Sequence, residues 1–525
     1  MKPIVLLSYL ACTVLAFVPR QDAGEATFDN PVVYEDFADN DVSVGPDGAY
    51  YFSASNMHYS PGAPVLRSHD LVNWELIGHS VPTLDFGDGY NLTDGQQAYR
   101  GGTWASTMRY RESNGLWYWI GCVNFWYTYV YTAEDPSGPW TRAAVSEGGT
   151  CYYDMGLLID DDDTMYVVYG AGDVSIAQLS EDGLSEVRSE VVFSATDAGV
   201  TEMEGNRLYK RDGYYYILND EPGSATYIWK SESPWGPYEP KLLVEDILSP
   251  IQGGGSPHQG SLIEATTGDW YYMSFTWAYP AGRIPVLAPV VWGEDGYPTL
   301  VTDDTGGWGV TYPMPHEEHS VPEWTGTDTF EGTQLGHDWE WNHNPDETKY
   351  AVNDGLTLFT ATVTDDLYAA RNTLTHRTHG EFPNGTIEVD FSDMADGDVF
   401  GLAAFRDRSA FIGVFREGET YTLRTVHGLE QDEETWETVD LGSVVAEEEL
   451  SETTVWLRAA LDVRPNGSKE ARLLYSLDGE EFTELGGAYE MYTNWAYFMG
   501  YRFGIFTYAT KELGGSIHVA QFTST

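Results

Sequence analysis

The chain has 525 residues, too many for one ordinary hydrophobic core, so we expect two large domains. Its 82 acidic and 27 basic side chains give a formal net charge of −55, which leaves no basic face for binding nucleic acid. The same acidity disfavours strongly anionic polysaccharides as substrates, and its simplest effect is a soluble surface.

The N-terminus has the pattern of a secretory signal peptide over residues 1–16. Lys2 precedes an apolar run over residues 3–15, and Val14 and Ala16 stand three residues and one residue before a cleavage point. No later stretch approaches the roughly 20 apolar residues that a membrane-spanning helix needs. We therefore expect a secreted, extracellular protein with no membrane partner.

The mature chain has too few cysteines for a disulfide-stapled scaffold or a cysteine metal site. Cys12 lies inside the predicted signal peptide, which leaves only Cys122 and Cys151. These two either pair with each other or stay buried and reduced, and the sequence leaves both options open.

A turn followed by an aromatic, alternating strand occurs five times after the signal peptide. The copies recur at about 50 to 70 residues, which suits four-stranded propeller blades with loops, and helical periodicity is nearly absent. We therefore predict an all-β fold that begins with a five-bladed β-propeller over residues 25–318. The five copies are Gly48–Tyr51, Gly115–Tyr118, Thr164–Val167, Gly213–Tyr216 and Gly268–Tyr271.

A different residue stands about 11 to 13 positions before each aromatic strand, where the innermost strand of the blade should lie. In chain order these residues are Asp39, Trp104, Asp154, Glu204 and His258. A single aspartate most simply caps a turn. Matched positions in successive blades, however, converge on the propeller axis, so we expect three carboxylates, an imidazole and an indole in one axial pocket.

Converging carboxylates are the groups that cleave a glycosidic bond. One protonated acid serves the leaving oxygen, and one ionised carboxylate activates water or attacks carbon. A third carboxylate close to the acid disfavours its ionisation and keeps it protonated. The three acids therefore form a coherent catalytic set.

These segments resemble glycoside hydrolase family 43, whose members are five-bladed propellers that invert stereochemistry at the cleaved carbon. Asp36–Val42 is similar to the family segment that carries the general base, which implies that role for Asp39, with Asp41 as a neighbour that could be confused with it. Tyr152–Gly156 resembles the segment of the acid that tunes and orients the proton donor, which implies that role for Asp154.

The segment Glu202–Arg207 resembles that of the family's general acid, in which a glutamate precedes a glycine. This implies Glu204 as the acid, because Glu202 has no glycine after it. The Pro-His pair that usually follows the glycine is replaced here by Asn206 and Arg207, which puts the local contacts in doubt.

The resemblance also implies three accessory residues. Ser256–Gly260 is similar to a fifth-blade segment whose histidine, here His258, lies beneath the site and can contact an axial calcium or water. A lone histidine is more often a satisfied core group, and a hard cation prefers several oxygens. Arg283 would reach the sugar unless it pairs with a nearby acid, and Trp104 would offer a ring unless it belongs to the core.

The resemblance covers nearly all of residues 28–315, and two segments, Ser60–Pro82 and Cys151–Gly170, are most similar to fungal members that remove L-arabinofuranose from arabinoxylan. We therefore predict an inverting, exo-acting α-L-arabinofuranosidase that acts on arabinoxylan or its oligosaccharides as a monomer. The chemistry requires no cofactor, and the only metal that the resemblance suggests is a structural calcium ion. A β-xylosidase, or another pentose or galactan exo-glycosidase, is the alternative enzyme. A non-catalytic sugar-binding propeller is the alternative of another class.

The propeller pattern stops after Pro313, and a new alternating β region begins. Thr327–Phe330 and Trp339–Asn342 open this region, which reaches the C-terminus and predicts a β-sandwich over residues 325–525. It resembles the lectin-like, concanavalin-type sandwich appended to many family members. We expect it to brace the propeller and edge the active-site cleft rather than to bind polysaccharide itself.

Overall fold

The structure is a computed structural model that describes residues 26–146 and 149–525. The predicted signal peptide lies outside the described residues. Within them the chain is almost entirely β, which confirms the predicted fold class, and no helix has the length and apolar character of a membrane span. The helical segments of the described chain are short 3₁₀ turns at Asp88–Asn91, Ala195–Asp197, Glu347–Lys349, Leu367–Ala369 and Trp495–Tyr497.

The first domain is a five-bladed propeller, as predicted. Each blade is an antiparallel sheet of four strands, and strands β1 and β23 pair with each other outside the blades. The strands are β1 (Thr27–Asp29), β2 (Asp41–Val44), β3 (Tyr50–Ser53), β4 (Tyr59–Ser60), β5 (Gly62–Ser68), β6 (Trp74–Val81), β7 (Thr103–Arg111), β8 (Leu116–Val123), β9 (Tyr127–Ala133), β10 (Thr141–Val145), β11 (Gly156–Ile159), β12 (Met165–Tyr169), β13 (Asp173–Leu179), β14 (Glu186–Ser194), β15 (Glu204–Arg211), β16 (Tyr214–Glu221), β17 (Ala225–Ser231), β18 (Glu239–Glu245), β19 (Gly260–Glu264), β20 (Trp270–Trp277), β21 (Arg283–Trp292), β22 (Pro298–Leu300) and β23 (Thr311–Pro313).

The first strand of each blade lies at the axis. Strands β2, β7, β11, β15 and β19 contact one another in this order, and β19 returns to β2, which closes the ring. The aromatic strands found in the sequence are β3, β8, β12, β16 and β20, the second strand of each blade. The residue before or at the start of each innermost strand therefore faces one end of the central channel.

Aromatic side chains fill the space between neighbouring blades. Tyr51 of the first blade packs edge-on against Trp117 of the second, with ring centroids 4.6 Å apart. Phe193 of the third blade stacks on Trp229 of the fourth at 3.7 Å. Such pairs add to the free energy of apolar burial, which explains why the repeated strands are rich in Tyr and Trp.

The two cysteines of the described residues form a disulfide bond. Cys122 at the end of β8 is joined to Cys151, with a Cα–Cα distance of 5.2 Å. The bond ties the second blade to the segment that leads into β11, three residues before Asp154. Of the two alternatives left open by the sequence, the structure therefore shows the paired cysteines.

The second domain is a β-sandwich, also as predicted. One sheet has the order β26-β27-β39-β29-β34-β35-β36, with β24 beside β39 and β37 beside β35, and the other has the order β33-β32-β31-β30-β38-β28-β25-β4. The strands are β24 (Gly326–Asp328), β25 (Trp339–Asn342), β26 (Tyr350–Val352), β27 (Leu356–Phe359), β28 (Leu374–Arg377), β29 (Asn384–Asp390), β30 (Asp398–Phe405), β31 (Arg408–Glu417), β32 (Thr420–Gln431), β33 (Thr438–Leu450), β34 (Thr454–Leu461), β35 (Glu470–Ser476), β36 (Thr483–Glu484), β37 (Tyr489–Glu490), β38 (Arg502–Ala509) and β39 (Ser516–Ser524).

A strand of the propeller completes a sheet of the sandwich. β4 leaves the first blade and pairs with β25, so that Ser60 lies opposite Trp341 and Tyr59 lies opposite Asn342. The apolar core of the sandwich also continues into the fifth-blade region of the propeller, through Ile251 and Ile284. The two domains therefore share both a sheet and a core.

Candidate active site

All six residues singled out in the sequence line one narrow pocket at the axis. Its volume is about 50 Å³, and it lies where the innermost strands begin. The predicted residues in its wall are Asp39, Trp104, Asp154, Glu204, His258 and Arg283, and the others are Met57, Ala105, Tyr153, Pro222, Gln259, Phe275, Trp277 and Phe498. Radial symmetry thus brings together side chains that are far apart in sequence.

The backbone that holds two of the acids is strained. Asp39 has φ 57° and Asp154 has φ 48°, which is the left-handed region that residues with a side chain rarely adopt. Such strain persists only where the surroundings over-determine it, and it concentrates at functional sites. Here it lets each carboxylate leave the strand direction and enter the pocket.

Arg207 provides much of that support. It is fully buried, and its guanidinium donates to the backbone carbonyls of Asp39 at 2.8 Å, Asn40 at 3.0 Å and Met155 at 2.8 Å. Asn206 holds the third blade in the same way, because its backbone N–H donates to the Asp154 carbonyl at 2.9 Å. The Asn-Arg pair that departs from the family pattern therefore fixes the backbone of two acids.

The carboxylate of Asp39 is held by two donors. Arg283 Nη1 donates to Oδ1 at 2.7 Å, and Ser55 Oγ donates to Oδ2 at 2.6 Å. A guanidinium and a hydroxyl that donate to the two oxygens fix the orientation of this carboxyl group in the pocket.

Glu204 and Asp154 occupy a different environment, because no basic side chain among the described residues forms an ion pair with either carboxyl. Burial and then the charges of Glu204 and Asp39 raise the pKa of Asp154 well above its ordinary value, against Arg207 and the Gly205 N–H that donates to Asp154 Oδ2 at 3.1 Å. Burial also raises the pKa of Glu204, against the Tyr153 hydroxyl that donates to Glu204 Oε2 at 2.8 Å. The two acids therefore hold at least one proton between them at a pH where separate carboxyls would both be ionised.

A fourth carboxyl, Asp220, lies behind the pocket, and the sequence reasoning missed it. It stands opposite Glu204 on the neighbouring strand, is buried, and has an Oδ1 without a hydrogen-bond partner among the described residues. Burial, and then the charges of Glu204, Asp154 and Asp39, raise its pKa well above the ordinary value. A β-carbon at Gly205, where φ is +69°, would collide with the Asp220 carboxyl, which explains the glycine after Glu204.

The structure separates both acids that compete with the predicted ones in sequence. Asp41 is buried away from the pocket, where Arg109 Nη1 donates to its Oδ2 at 2.6 Å and Arg207 Nε lies 3.4 Å from its Oδ1. Glu202 is exposed and does not line the pocket. The glycine that follows Glu204 is thus the sequence signal that selects the pocket-facing glutamate.

The accessory residues lie in the pocket wall. Arg283 lines the pocket and pairs with an acid, Asp39 itself, whereas its contact with the sugar stays a prediction. Trp104 lines the pocket and also packs against a hydrophobic cluster, with its indole N–H donating to the Arg100 carbonyl at 2.9 Å. Tyr153 and Phe498 also line the pocket and were not predicted as site residues. For Phe498 the reason is that nothing in the sequence pairs residue 498 with the propeller.

His258 is neutral and surrounded by aromatic rings. Burial lowers its pKa to about 4, its Nδ1 lies 2.8 Å from the Ser256 carbonyl oxygen, and its ring packs edge-on against Phe275 and Trp277. The described residues contain no group of three or more His, Cys, Asp or Glu side chains arranged to hold a metal ion. The aromatic rings around His258 do not suit a hard cation, which prefers several oxygen ligands. We therefore assign calcium no step in the hydrolysis.

The chain was compared with known proteins. Residues 28–298 match the model of glycosyl hydrolases family 43, and residues 327–525 match that of the β-xylosidase C-terminal concanavalin A-like domain. The chain is 28% identical to a β-xylosidase of Formosa agariphila, over 96% of this chain and 91% of that protein. It is 30% identical to the non-reducing end α-L-arabinofuranosidase BoGH43B of Bacteroides ovatus, over 63% of this chain and 64% of that protein.

Among solved structures, the chain is similar to a family 43 glycoside hydrolase engineered at its active site to display both endo-xylanase and exo-arabinofuranosidase activity. The two are 43% identical with a TM-score of 0.91, over 95% of this chain and 100% of that one. The likeness therefore extends over the propeller and the sandwich together. On the family model, the structural likeness and the fold, the chain belongs to family 43 of the glycosyl hydrolases.

Proposed function

We propose that the protein is an inverting, exo-acting α-L-arabinofuranosidase that removes terminal arabinofuranosyl side chains from arabinoxylan. The observation that carries the proposal is the contrast within one pocket between Asp39, whose two oxygens accept from Arg283 and Ser55, and Glu204, whose pKa is raised by burial. Bond cleavage with inversion needs one carboxylate that accepts a proton and one carboxylic acid that donates one. The narrow pocket favours a single terminal sugar.

In this proposal Glu204 donates its proton to the glycosidic oxygen as the bond to the anomeric carbon breaks. Asp39 accepts a proton from the water that attacks that carbon from the opposite face. We assign to Asp154 the tuning of this acid, because the two carboxyls are coupled and the charge of Glu204 raises the pKa of Asp154. The Tyr153 hydroxyl donates to Glu204 Oε2 and orients it. After release, Asp39 has gained a proton and Glu204 has lost one, so exchange with solvent restores the site.

The choice of sugar is supported by the 43% identity to the engineered enzyme with exo-arabinofuranosidase activity and by the 30% identity to the arabinofuranosidase BoGH43B. A β-xylosidase is the second candidate, because two curated relatives that align over 96% of this chain are named β-xylosidase and putative β-xylosidase. The proposal includes secretion, which sequencing the N-terminus of the mature protein would test.

A release assay on singly and doubly substituted arabinoxylan oligosaccharides tests the proposal. Free arabinose is the expected product, free xylose would favour the β-xylosidase, and no sugar with retained binding would favour a sugar-binding propeller. We expect Glu204→Ala to lower kcat by at least about 100-fold while keeping oligosaccharide binding, because a general acid contributes about 10²–10⁴-fold. The matched control is Glu202→Ala, which changes an exposed neighbour and should keep full activity.

A further inference from the structure

Arg100 is distinguished from the other arginines by its lack of polar partners. Within residues 26–146 and 149–525, it is the only arginine whose guanidinium makes neither a hydrogen bond nor an ion pair with another residue, and its Nε is buried and unsatisfied. The side chain is half-buried, and the backbone has φ 62°. In a chain with 82 acidic residues, an arginine without an acidic partner is unexpected.

Aromatic rings hold the guanidinium in place. Its central carbon lies 4.4 Å from the ring centroid of Phe498, 5.5 Å from that of Trp104 and 5.7 Å from that of Trp436. Rings at these distances attract a cation and fix its position without using its N–H donors. The donors therefore stay available.

The aromatic rings around Arg100 belong to the walls of two cavities. Phe498 and Trp104 line the catalytic pocket, whereas Trp436 lines a wider groove of about 460 Å³ between the propeller and the sandwich. Gly101, next to Arg100, and the exposed Asn124 also line this groove. The Asn124 side-chain carbonyl already accepts from the Tyr90 hydroxyl at 2.8 Å, which leaves its NH₂ group as a donor at the groove.

An unpaired guanidinium is costly in this position. Burial lowers the pKa of Arg100, and an arginine side chain keeps its charge, so oxygen acceptors close to its guanidinium are favourable. Asp39 already accepts from Arg283 through Oδ1. A ligand that reaches from the pocket towards the groove would bring such acceptors to Arg100.

We propose that Arg100 and the groove behind it bind a sugar unit of the substrate that is not cleaved, with guanidinium N–H groups donating to its hydroxyl oxygens. The ligand class is a neutral, branched oligosaccharide whose terminal sugar enters the pocket while its main chain lies along the groove. This inference rests on the proposed function and adds to it a residue that distinguishes oligosaccharides from simple glycosides.

The test compares two substrates on one variant. Arg100→Met keeps an unbranched, apolar side chain beneath the rings but removes every donor. We expect the ratio of kcat/KM for an arabinoxylan oligosaccharide to kcat/KM for 4-nitrophenyl α-L-arabinofuranoside to fall about tenfold or more, mainly through KM, because hydrogen bonds to charged groups are lost. Arg100→Lys should recover only part of the ratio, since it restores the charge but not the planar fork.

A control and a binding measurement separate this role from a structural one. Arg188→Met also removes a guanidinium stacked on a ring, 3.7 Å from the Trp235 centroid, but on the outer strand of the third blade, and should leave the ratio unchanged. In a Glu204→Ala background, calorimetric titration with the same oligosaccharide should show weaker binding when Arg100→Met is added.

Equal loss on both substrates, or an unchanged ratio together with unchanged oligosaccharide binding, would overturn the proposal. If the wild-type protein releases no pentose from either substrate, the proposed function fails instead. The titration in the Glu204→Ala background still decides the role of Arg100 in that case.

Discussion

Asp39 and Glu204 line the same pocket but meet opposite surroundings. Asp39 accepts from Arg283 and Ser55, whereas Glu204 has a tyrosine hydroxyl and further acids around it. Asp154, Glu204 and Asp220 all have raised pKa values, and burial is the largest cause for each. The folded state therefore binds these protons more tightly than the unfolded chain does, and this contribution to stability is lost as the pH rises through the raised pKa values.

Asp220→Asn should stabilise the protein at neutral pH. The change removes a buried carboxyl whose ionisation opposes folding, so we expect a higher Tm at pH 7.5 and a smaller difference at pH 4.5, because the raised pKa favours the neutral native carboxyl as the pH falls. Scanning calorimetry at the two pH values measures this.

The matched control is Asp41→Asn, which removes a buried carboxylate that pairs with Arg109 and Arg207. It should destabilise the protein by about 3–5 kcal/mol, the usual cost of breaking a buried ion pair. A Tm of the Asp220→Asn protein that falls at pH 7.5 would show that Asp220 is held as a stabilising carboxylate.

At the residue scale, the sequence predicts those pocket residues that the repeat places at matched positions. Asp39, Asp154 and Glu204 could be found because each precedes an aromatic strand at a similar distance. Asp220 could not be found this way, since it lies at the far end of an aromatic strand and enters the site only through strand pairing with Glu204. Its signal would have been the acidic pair Asp220 and Glu221 at the end of an aromatic strand.

At the element scale, the segment that connects β3 to β5 joins the pocket to the sandwich. Asn56 Oδ1 accepts from Arg377 Nη2 at 2.7 Å and from Arg502 Nη2 at 2.9 Å, and the next residue, Met57, lines the pocket. Both arginines also bind Glu340. Burial alone would raise the pKa of Glu340, but the two guanidinium groups outweigh it and hold the pKa well below its usual range.

Asn56→Ala should weaken this connection. Two buried guanidinium groups would lose an acceptor, so we expect a loss of about 2–4 kcal/mol in the free energy of unfolding, measured by denaturant titration, together with a higher KM. Asn353→Ala, at an exposed turn of the sandwich, is the control and should be neutral. A loss below about 0.5 kcal/mol, which is the usual scatter for surface substitutions, would contradict this role for Asn56.

The repeated pattern predicts the blades but not the exchange of a strand between domains. β4 has only two residues, too short to show any periodicity, and its partner β25 lies about 280 positions later in the chain. The pairing depends on how the finished propeller presents Tyr59 and Ser60, which is a property of tertiary structure. The same reasoning applies to Phe498, which reaches the pocket from a turn of the sandwich.

At the scale of the whole molecule, the sandwich forms part of the catalytic pocket as well as bracing the propeller. Phe498 lines the pocket, and its carbonyl accepts from Arg283 Nε at 3.0 Å, so the sandwich fixes the residue that holds Asp39. The large acidic surplus lies elsewhere, on a surface whose charge does not identify the substrate. The function follows from the pocket and not from the net charge.

In the proposed mechanism, Asp39 and Glu204 act as the base and the acid of a single displacement by water. The most direct test follows the anomeric signals of the released sugar by proton NMR during the first minutes of hydrolysis of an arabinoxylan oligosaccharide. We expect the first anomer formed to have the configuration opposite to that of the substrate linkage, with the other anomer growing only by mutarotation. A first product with the configuration of the substrate would contradict the account, because retention requires a covalent intermediate on one of the carboxylates.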